Sequence, residues 1–132
     1  MTTESAVLTA VLKYLGNRSD VKIWRHNTGR IADRNGRVVS FGLVGSADVI
    51  GMRVVKFRGL PLTTGSCIVD EMRPGSDLPL RSGQFLAVEC KSATGRQSEA
   101  QRNFQKMVEA MGGLYLLVRD VADLYPWFPK ET

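Results

Sequence analysis

Three charged side chains stand inside stretches of sequence that otherwise predict apolar β-strands. Asp48 lies in the apolar run 47–52, and Glu89 and Lys91 end the run 85–91, whose apolar and β-branched residues predict a buried strand. Acidic side chains rarely enter such runs unless they are paired or bind a cation. An aspartate combined with Glu-x-Lys on another strand is the set of groups that a metal-dependent phosphodiesterase needs.

The strand 85–91 is expected to carry both of its charged residues on one face. Because side chains alternate across a strand, Glu89 and Lys91 share a face with Phe85 and Ala87, and the opposite face carries Leu86, Val88 and Cys90. Phosphodiester hydrolysis needs an activated water and a counter-charge, and a divalent ion supplies both. Magnesium prefers oxygen ligands, which Asp48, Glu89 and the backbone carbonyl of Cys90 would provide. Lys91 would orient the nucleophile or neutralise the transition state.

The same residues also permit structural interpretations. The Glu-x-Lys pair could form a strand-end salt bridge with the aspartate nearby by chance, because this pair is common. Glu4 lies at the edge of the apolar stripe of a helix over residues 3–15, and two roles for it stay open: a first-turn glutamate favoured by the helix dipole, or a carboxylate directed into a site. Asp70 and Glu71 are rival carboxylates, but they follow a polar turn, which favours a solvated position.

The pattern of elements predicts an α/β sheet with helices packed on it. Strands are predicted at residues 21–25, 30–33, 37–41, 47–50, 85–91 and 114–118. Asn35-Gly36 is typical of a two-residue hairpin turn. The strand 85–91, the following helix and the strand 114–118 form a βαβ unit, which implies a parallel pair with a right-handed crossover. Residues 53–82 are expected to form a hairpin or extended arm, with a strand-like piece at 66–69.

Helices are predicted over residues 3–15 and 98–111, with Thr3 and Ser98 as N-caps, and a short helix over 120–124. The buried face of the second helix is expected to comprise Ala100, Phe104, Met107, Val108 and Met111. A neighbouring row on the same helix contains Gln97, Gln101 and Gln105.

Length and composition predict one domain over residues 1–132, with 43% apolar and 23% charged residues as in ordinary globular proteins. No apolar run reaches the ~18–20 residues of a membrane span, and the N-terminus lacks a signal-like segment, so a cytoplasmic protein without a membrane partner is expected. The net charge of +5 is compatible with a polyanionic partner. Cys67 and Cys90 form neither a zinc ligand set nor a disulfide framework, and His26 is expected to be structural or a phosphate-side contact.

Six groups of residues together match one known family. They are Glu4, residues 25–29 (Arg-His-Asn-Thr-Gly), 41–48 (Phe-Gly-Leu-Val-Gly-Ser-Ala-Asp), 85–91 (Phe-Leu-Ala-Val-Glu-Cys-Lys), 95–101 (Gly-Arg-Gln-Ser-Glu-Ala-Gln) and Gly112-Gly113. With them the chain resembles the VRR-NUC family, the virus-type replication-repair branch of the PD-(D/E)XK nucleases. The resemblance covers most of the chain except residues 53–82, which look like an insertion. Ala47 stands where the family usually has proline, a change that leaves the chemistry of the aspartate intact.

The resemblance implies a PD-(D/E)XK restriction-endonuclease-like core, with a mixed central β-sheet flanked by helices. It implies a nuclease that depends on Mg²⁺ or Mn²⁺, with Asp48 and Glu89 as ligands, Lys91 as the catalytic lysine, and Glu4 and Gln101 as supporting site residues. Small stand-alone members of the family are homodimers that act on branched DNA such as four-way junctions, so a homodimer and a branched DNA substrate are expected. DNA contacts are expected at Arg25, Asn27, Arg30 and Arg96.

Two other functions stay open on the sequence. The chain could be a nucleic-acid-binding module with a vestigial site, although the aspartate, the glutamate and the lysine are all present. It could also be a restriction-type nuclease that cuts a fixed duplex sequence, although no recognition module is evident. Metal-dependent cleavage separates the first of these from an enzyme.

Overall fold

The protein is an α/β structure in which a mixed four-stranded sheet packs against one helix on each face. The computed structural model describes residues 2–57 and 80–130. Its elements are α1 (Glu4–Gly16), β1 (Val21–Arg25), β2 (Gly29–Ala32), β3 (Val38–Phe41), β4 (Val49–Phe57), β5 (Leu80–Cys90), α2 (Glu99–Ala110), β6 (Leu114–Val118) and a 3-10 helix (Val121–Leu124). No helix within these described ranges has the length and apolar character needed to cross a membrane.

The main sheet has the strand order β1-β4-β5-β6. Both β1 and β5 pair antiparallel with β4, while β6 pairs parallel with β5, so the predicted β5–α2–β6 unit is confirmed. The predicted strand 47–50 is wrong in its limits, because β4 begins at Val49 and pairs with β5 as far as Phe57 opposite Leu80. Backbone pairing continues beyond the apolar run on which the prediction relied. The predicted piece 66–69 lies outside the described residues, as do Cys67, Asp70 and Glu71.

The alternation predicted for β5 is confirmed by the two cores that it separates. Leu86, Val88 and Cys90 are buried in the core that contains the inner face of α1, namely Val7, Val11 and Leu15. Ala87 is buried in the second core with Phe104 and Val108 of α2 and with Tyr115 of β6. Because successive side chains of a strand point to opposite faces, Glu89 lies on the α2 side of the sheet, two residues beyond Ala87.

The predicted inner face of α2 is too wide. Phe104 and Val108 are buried, whereas Met107 is 39% exposed and Met111 is 82% exposed. Phe104 and Val108 lie four residues apart and form the buried apolar row of the helix, whereas the row that holds both methionines lies further from the sheet. The N-cap predictions are confirmed, since the Thr3 and Ser98 side chains accept hydrogen bonds from the backbone N–H groups of Ala6 and Gln101.

Strands β2 and β3 form a separate two-stranded antiparallel sheet, with Ile31 opposite Val39. The two-residue turn predicted at Asn35-Gly36 is wrong. The connection is a three-residue loop closed by Asp33 N–H donating to the Arg37 carbonyl at 2.8 Å, with Gly36 at φ 76°. The Asp33 carboxylate accepts from the backbone N–H groups of Asn35 and Arg37 at 2.9 and 2.8 Å, and this stabilises the longer loop.

Candidate metal centre

Three carboxylates from three parts of the chain converge beside the main sheet. Glu4 comes from the first turn of α1, Asp48 immediately precedes β4, and Glu89 is the penultimate residue of β5. One oxygen atom of each lies within 4.8 Å of the others. The apolar surroundings of Asp48 predicted a position inside a strand, and this is wrong. Asp48 lies immediately before β4, which begins at Val49. The structure agrees with both roles left open for Glu4, because it lies in the first turn of α1 and also beside the other two carboxylates.

Backbone groups from two neighbouring strands hold Asp48 in place. The N–H of His26, just after β1, donates to the Asp48 carbonyl at 2.8 Å. The N–H of Cys90, at the end of β5, donates to Asp48 Oδ2 at 2.8 Å. The aspartate side chain thus takes the place of a backbone acceptor at the end of the sheet, and this explains how a carboxylate is tolerated next to buried Ala47 and Val49.

Glu89 is the buried member of the cluster, with only 1% of its surface exposed. Its Oε1 accepts a hydrogen bond from Gln101 Nε2 at 3.0 Å and lies 3.6 Å from Lys91 Nζ. Its Oε2 is buried and has no hydrogen-bond partner among the described residues. Burial, followed by repulsion from Asp48, raises the pKa of Glu89 to about 8 against the opposing effect of Lys91. A buried oxygen without a donor in an acidic environment fits a cation ligand.

The side chain of Gln101 is oriented by the cap of α2. Gln101 Oε1 accepts from the backbone N–H of Ser98 at 2.8 Å, and Ser98 Oγ accepts from the Gln101 N–H at 3.1 Å. This capping box occupies the oxygen of the amide, so its nitrogen faces Glu89. Ser98 was predicted as the N-cap, but its link to Gln101 was not, although the Ser-x-x-Gln spacing is a recognisable signal for a capping box. Gln97 and Gln105 bond to each other at 3.0 Å, and Gln97 also donates to the Tyr115 hydroxyl.

Lys91 is buried apart from 9% of its surface and follows directly after β5. Its backbone N–H donates to the Val118 carbonyl at 3.0 Å, which continues the pairing with β6. Arg119 Nη1 then donates to the carbonyls of Ser92 and Gly95, both at 2.6 Å, and so fixes the loop that leaves Lys91. Arg119 was missed by the sequence reasoning, since nothing in its local sequence indicates a contact with residues about 25 positions earlier.

Cys90 is buried, whereas the four residues predicted to contact DNA lie on the surface. The Cys90 thiol is free and buried, and burial raises its pKa to about 12, so it stays protonated at neutral pH. The role of the Cys90 carbonyl as a metal ligand stays a prediction. Arg25, Asn27, Arg30 and Arg96 are all exposed; the first two flank His26, and the last lies between Lys91 and α2.

Gly45 allows the loop before Asp48 to approach the first turn of α2. Its φ is +84°, and a Cβ placed on it would overlap the carbonyl group of Ala100 and lie 2.8 Å from the Gln101 nitrogen. Those atoms belong to backbone, which cannot rotate away as a side chain can. Gly45 therefore sets the distance between the Asp48 loop and the helix that carries Gln101.

Replacing Gly45 with alanine is expected to lower the free energy of unfolding by about 2–4 kcal/mol, because the variant combines a left-handed backbone with a backbone overlap. Urea denaturation measures this loss. Gly36→Ala is the matched control, since Gly36 has φ +76° but nothing within 4 Å of the added carbon, and its loss should stay near 1 kcal/mol. Equal losses in the two variants would contradict the close packing inferred at Gly45.

No protein-family model, no curated protein and no solved structure gives a significant match to this chain. What defines the protein is the combination of fold and site. It is an α/β domain whose mixed sheet brings three carboxylates, one lysine and one oriented amide together at the ends of adjacent elements.

Proposed function

We propose that this protein is a metal-dependent nuclease of the VRR-NUC type, within the PD-(D/E)XK nucleases. The observation that carries the proposal is the buried, unpartnered Oε2 of Glu89 inside a cluster with Glu4 and Asp48. An acidic cluster alone has many explanations, but a carboxylate oxygen that is shielded from water and lacks a donor needs either a proton or a cation. The mixed sheet and the β5–α2–β6 unit support the assignment to a PD-(D/E)XK core. One nuclease domain over residues 1–132 stays a prediction.

Without metal the raised pKa of Glu89 means that a proton occupies this carboxyl at neutral pH, and we propose that a divalent ion displaces that proton. Glu4, Asp48 and Glu89 contribute three negative charges, and Lys91 contributes one positive charge, so ionised side chains leave a net −2. Mg²⁺ or Mn²⁺ balances that charge and accepts oxygen ligands of this kind. Asp48 and Glu89 would hold the ion, with Glu4 at the exposed side of the cluster. Such an ion activates water for attack and neutralises charge on phosphate oxygens.

The other side chains of the site have separate roles in the proposed reaction. Lys91 holds a positive charge next to Glu89, where its ammonium group donates to the phosphate oxygens as negative charge develops on them. Gln101 restrains Glu89 by donating to Oε1, while Oε2 stays buried without a donor. Gln101 is thus a positioning residue, and Ser98 positions it in turn.

We further propose DNA as the substrate, with branched molecules such as four-way junctions preferred. The net charge of +5 and the exposed basic residues next to the site support a polyanionic substrate. A homodimer belongs to the same proposal, because two sites related by a two-fold axis match the two symmetric strands of a junction.

Incubation with labelled duplex, flap and four-way-junction DNA tests the proposed activity. Cleavage is expected with Mg²⁺ or Mn²⁺ and is expected to fall to background in EDTA, because no ion then activates water or balances the charge of the phosphate. Thermal denaturation is the second measurement: Mn²⁺ without DNA should raise the melting temperature, because the ion binds only the folded protein.

The matched control for this experiment is Asp48→Asn, which keeps the size of the side chain but removes one charge of the cluster. The variant should lose both the cleavage and most of the melting-temperature increase. A parent protein that binds DNA but neither cleaves it nor responds to Mn²⁺ would contradict the nuclease proposal and favour a binding module.

A further inference from the structure

Residues 29–41 form a two-stranded ribbon that stands apart from the main sheet. The ribbon consists of β2, β3 and their three-residue loop, and its strands pair only with each other among the described residues. Every residue from 30 to 40 is exposed, including the apolar side chains Ile31, Val38 and Val39 at 62%, 64% and 53%. An isolated two-stranded hairpin buries little and is marginally stable in water. A ribbon of this kind gains stability from a partner that covers it.

The base of the ribbon is fixed at the metal centre. The chain leaves β1 at His26, whose N–H donates to the Asp48 carbonyl at 2.8 Å, and returns through the ribbon to Asp48 itself. Gly42, at φ +76°, packs on Thr28, since a Cβ placed there would lie 2.6 Å from Thr28 Cγ2. Gly45 then contacts the first turn of α2. The segment therefore begins and ends beside the candidate metal ligand, so a partner that binds the base of the ribbon lies close to Asp48.

The charge on the ribbon indicates the chemistry of its partner. Arg30, Arg34 and Arg37 are exposed, whereas the only carboxylate between residues 29 and 41, Asp33, already accepts two backbone hydrogen bonds within the loop. Three guanidinium groups with no free acidic partner on the ribbon favour a polyanion, and arginine binds phosphate with several parallel donors.

We infer that the ribbon holds a double-stranded arm of the DNA substrate beside the metal centre, with Arg30, Arg34 and Arg37 on its phosphates. The inference rests on the proposed nuclease function and adds to it the surface that carries the substrate. A two-stranded ribbon is narrow enough to enter the major groove, and the six residues from Gly29 to Arg34 span at most roughly 16 Å from the base. A ribbon of this length would contact about half a helical turn of a duplex.

The test replaces Arg30, Arg34 and Arg37 with glutamine and measures duplex binding in EDTA, so that no cleavage occurs. Each phosphate contact contributes about 0.9 to the slope of log K against log salt concentration. The triple variant should therefore lower the magnitude of that slope by about 2–3 and weaken binding at least about tenfold at low salt. Its melting temperature should match the parent, because the three side chains are exposed.

The control is the triple variant Lys13→Gln, Lys106→Gln and Lys130→Gln, which loses the same charge from exposed positions outside the ribbon. Its slope should change by less than about 1. Equal slope changes in the two triple variants would overturn the inference. A ribbon variant that keeps the parental salt slope but changes from dimer to monomer in sedimentation would also overturn it, because the ribbon would then bind a second copy of the chain. The nuclease proposal is judged separately by metal-dependent cleavage, so either can fail without the other.

Discussion

Replacing Lys91 with methionine is expected to lower the rate of metal-dependent cleavage by about 10²–10³-fold, the loss typical when one preorganised donor to a developing negative charge is removed. Methionine fills much of the space of the lysine stem, which matters because the side chain is 11% exposed. The variant loses the positive charge 3.6 Å from Glu89 Oε1 and with it the group that opposes the rise in the pKa of Glu89. Single-turnover cleavage with saturating enzyme isolates the chemical step from binding.

DNA binding by Lys91→Met should stay within about threefold of the parent in EDTA, because one buried lysine contributes little to the phosphate contacts of the surface. The control for a general effect of lost charge is Lys106→Met on the exposed side of α2, which should cleave normally. A Lys91→Met protein that is folded and cleaves at the parental rate would remove Lys91 from the mechanism.

Replacing Glu89 with glutamine is expected to abolish cleavage and, without metal, to stabilise the protein at neutral and higher pH. The pKa of Glu89 rises from 4.5 to about 8 on folding, with Asp48, Lys91 and Glu4 as the charged groups that face it. Between these values the folded protein holds a proton that the unfolded chain has lost. The parent should therefore lose stability as pH rises from about 4.5 to about 8, by an amount on the order of a few kcal/mol.

Glutamine cannot ionise, so Glu89→Gln removes this contribution while its carbonyl oxygen still accepts from Gln101. Urea denaturation in EDTA should give similar stabilities for parent and variant near pH 4.5 and a more stable variant near pH 8. Mn²⁺ should reverse the order at pH 8, because only the parent binds it well. Glu109→Gln, at an exposed position on α2, serves as the control and should keep the parental pH dependence. A variant less stable than the parent at pH 8 in EDTA would show that Glu89 is satisfied without a cation.

The sequence was a good guide to local structure wherever one residue type had one dominant preference. Thr3 and Ser98 cap their helices as predicted, because a hydroxyl oxygen at the N-cap accepts a hydrogen bond from a first-turn N–H group that has no partner within the helix. The alternation along β5 also correctly placed Glu89 on the face of the sheet that does not contact the α1 core. The two-residue turn at Asn35-Gly36 failed because Asp33 accepts two backbone N–H groups and favours a longer loop. The Asn-Gly dipeptide alone does not reveal that a side chain two residues before it accepts hydrogen bonds from the loop backbone.

By itself the sequence determined which groups are available for chemistry: an aspartate and a glutamate with a lysine two positions later, in runs where burial makes a charge costly. Only the tertiary structure decided that Glu4 joins them within 4.8 Å, that Ser98 orients Gln101 toward Glu89, and that the chain from His26 to Asp48 closes on itself at the site. The reason is physical. Hydrophobic periodicity predicts which residues of a single helix or strand are buried. A site depends on the distances between elements, and these are set by packing, such as the close contact of the Gly45 backbone with α2.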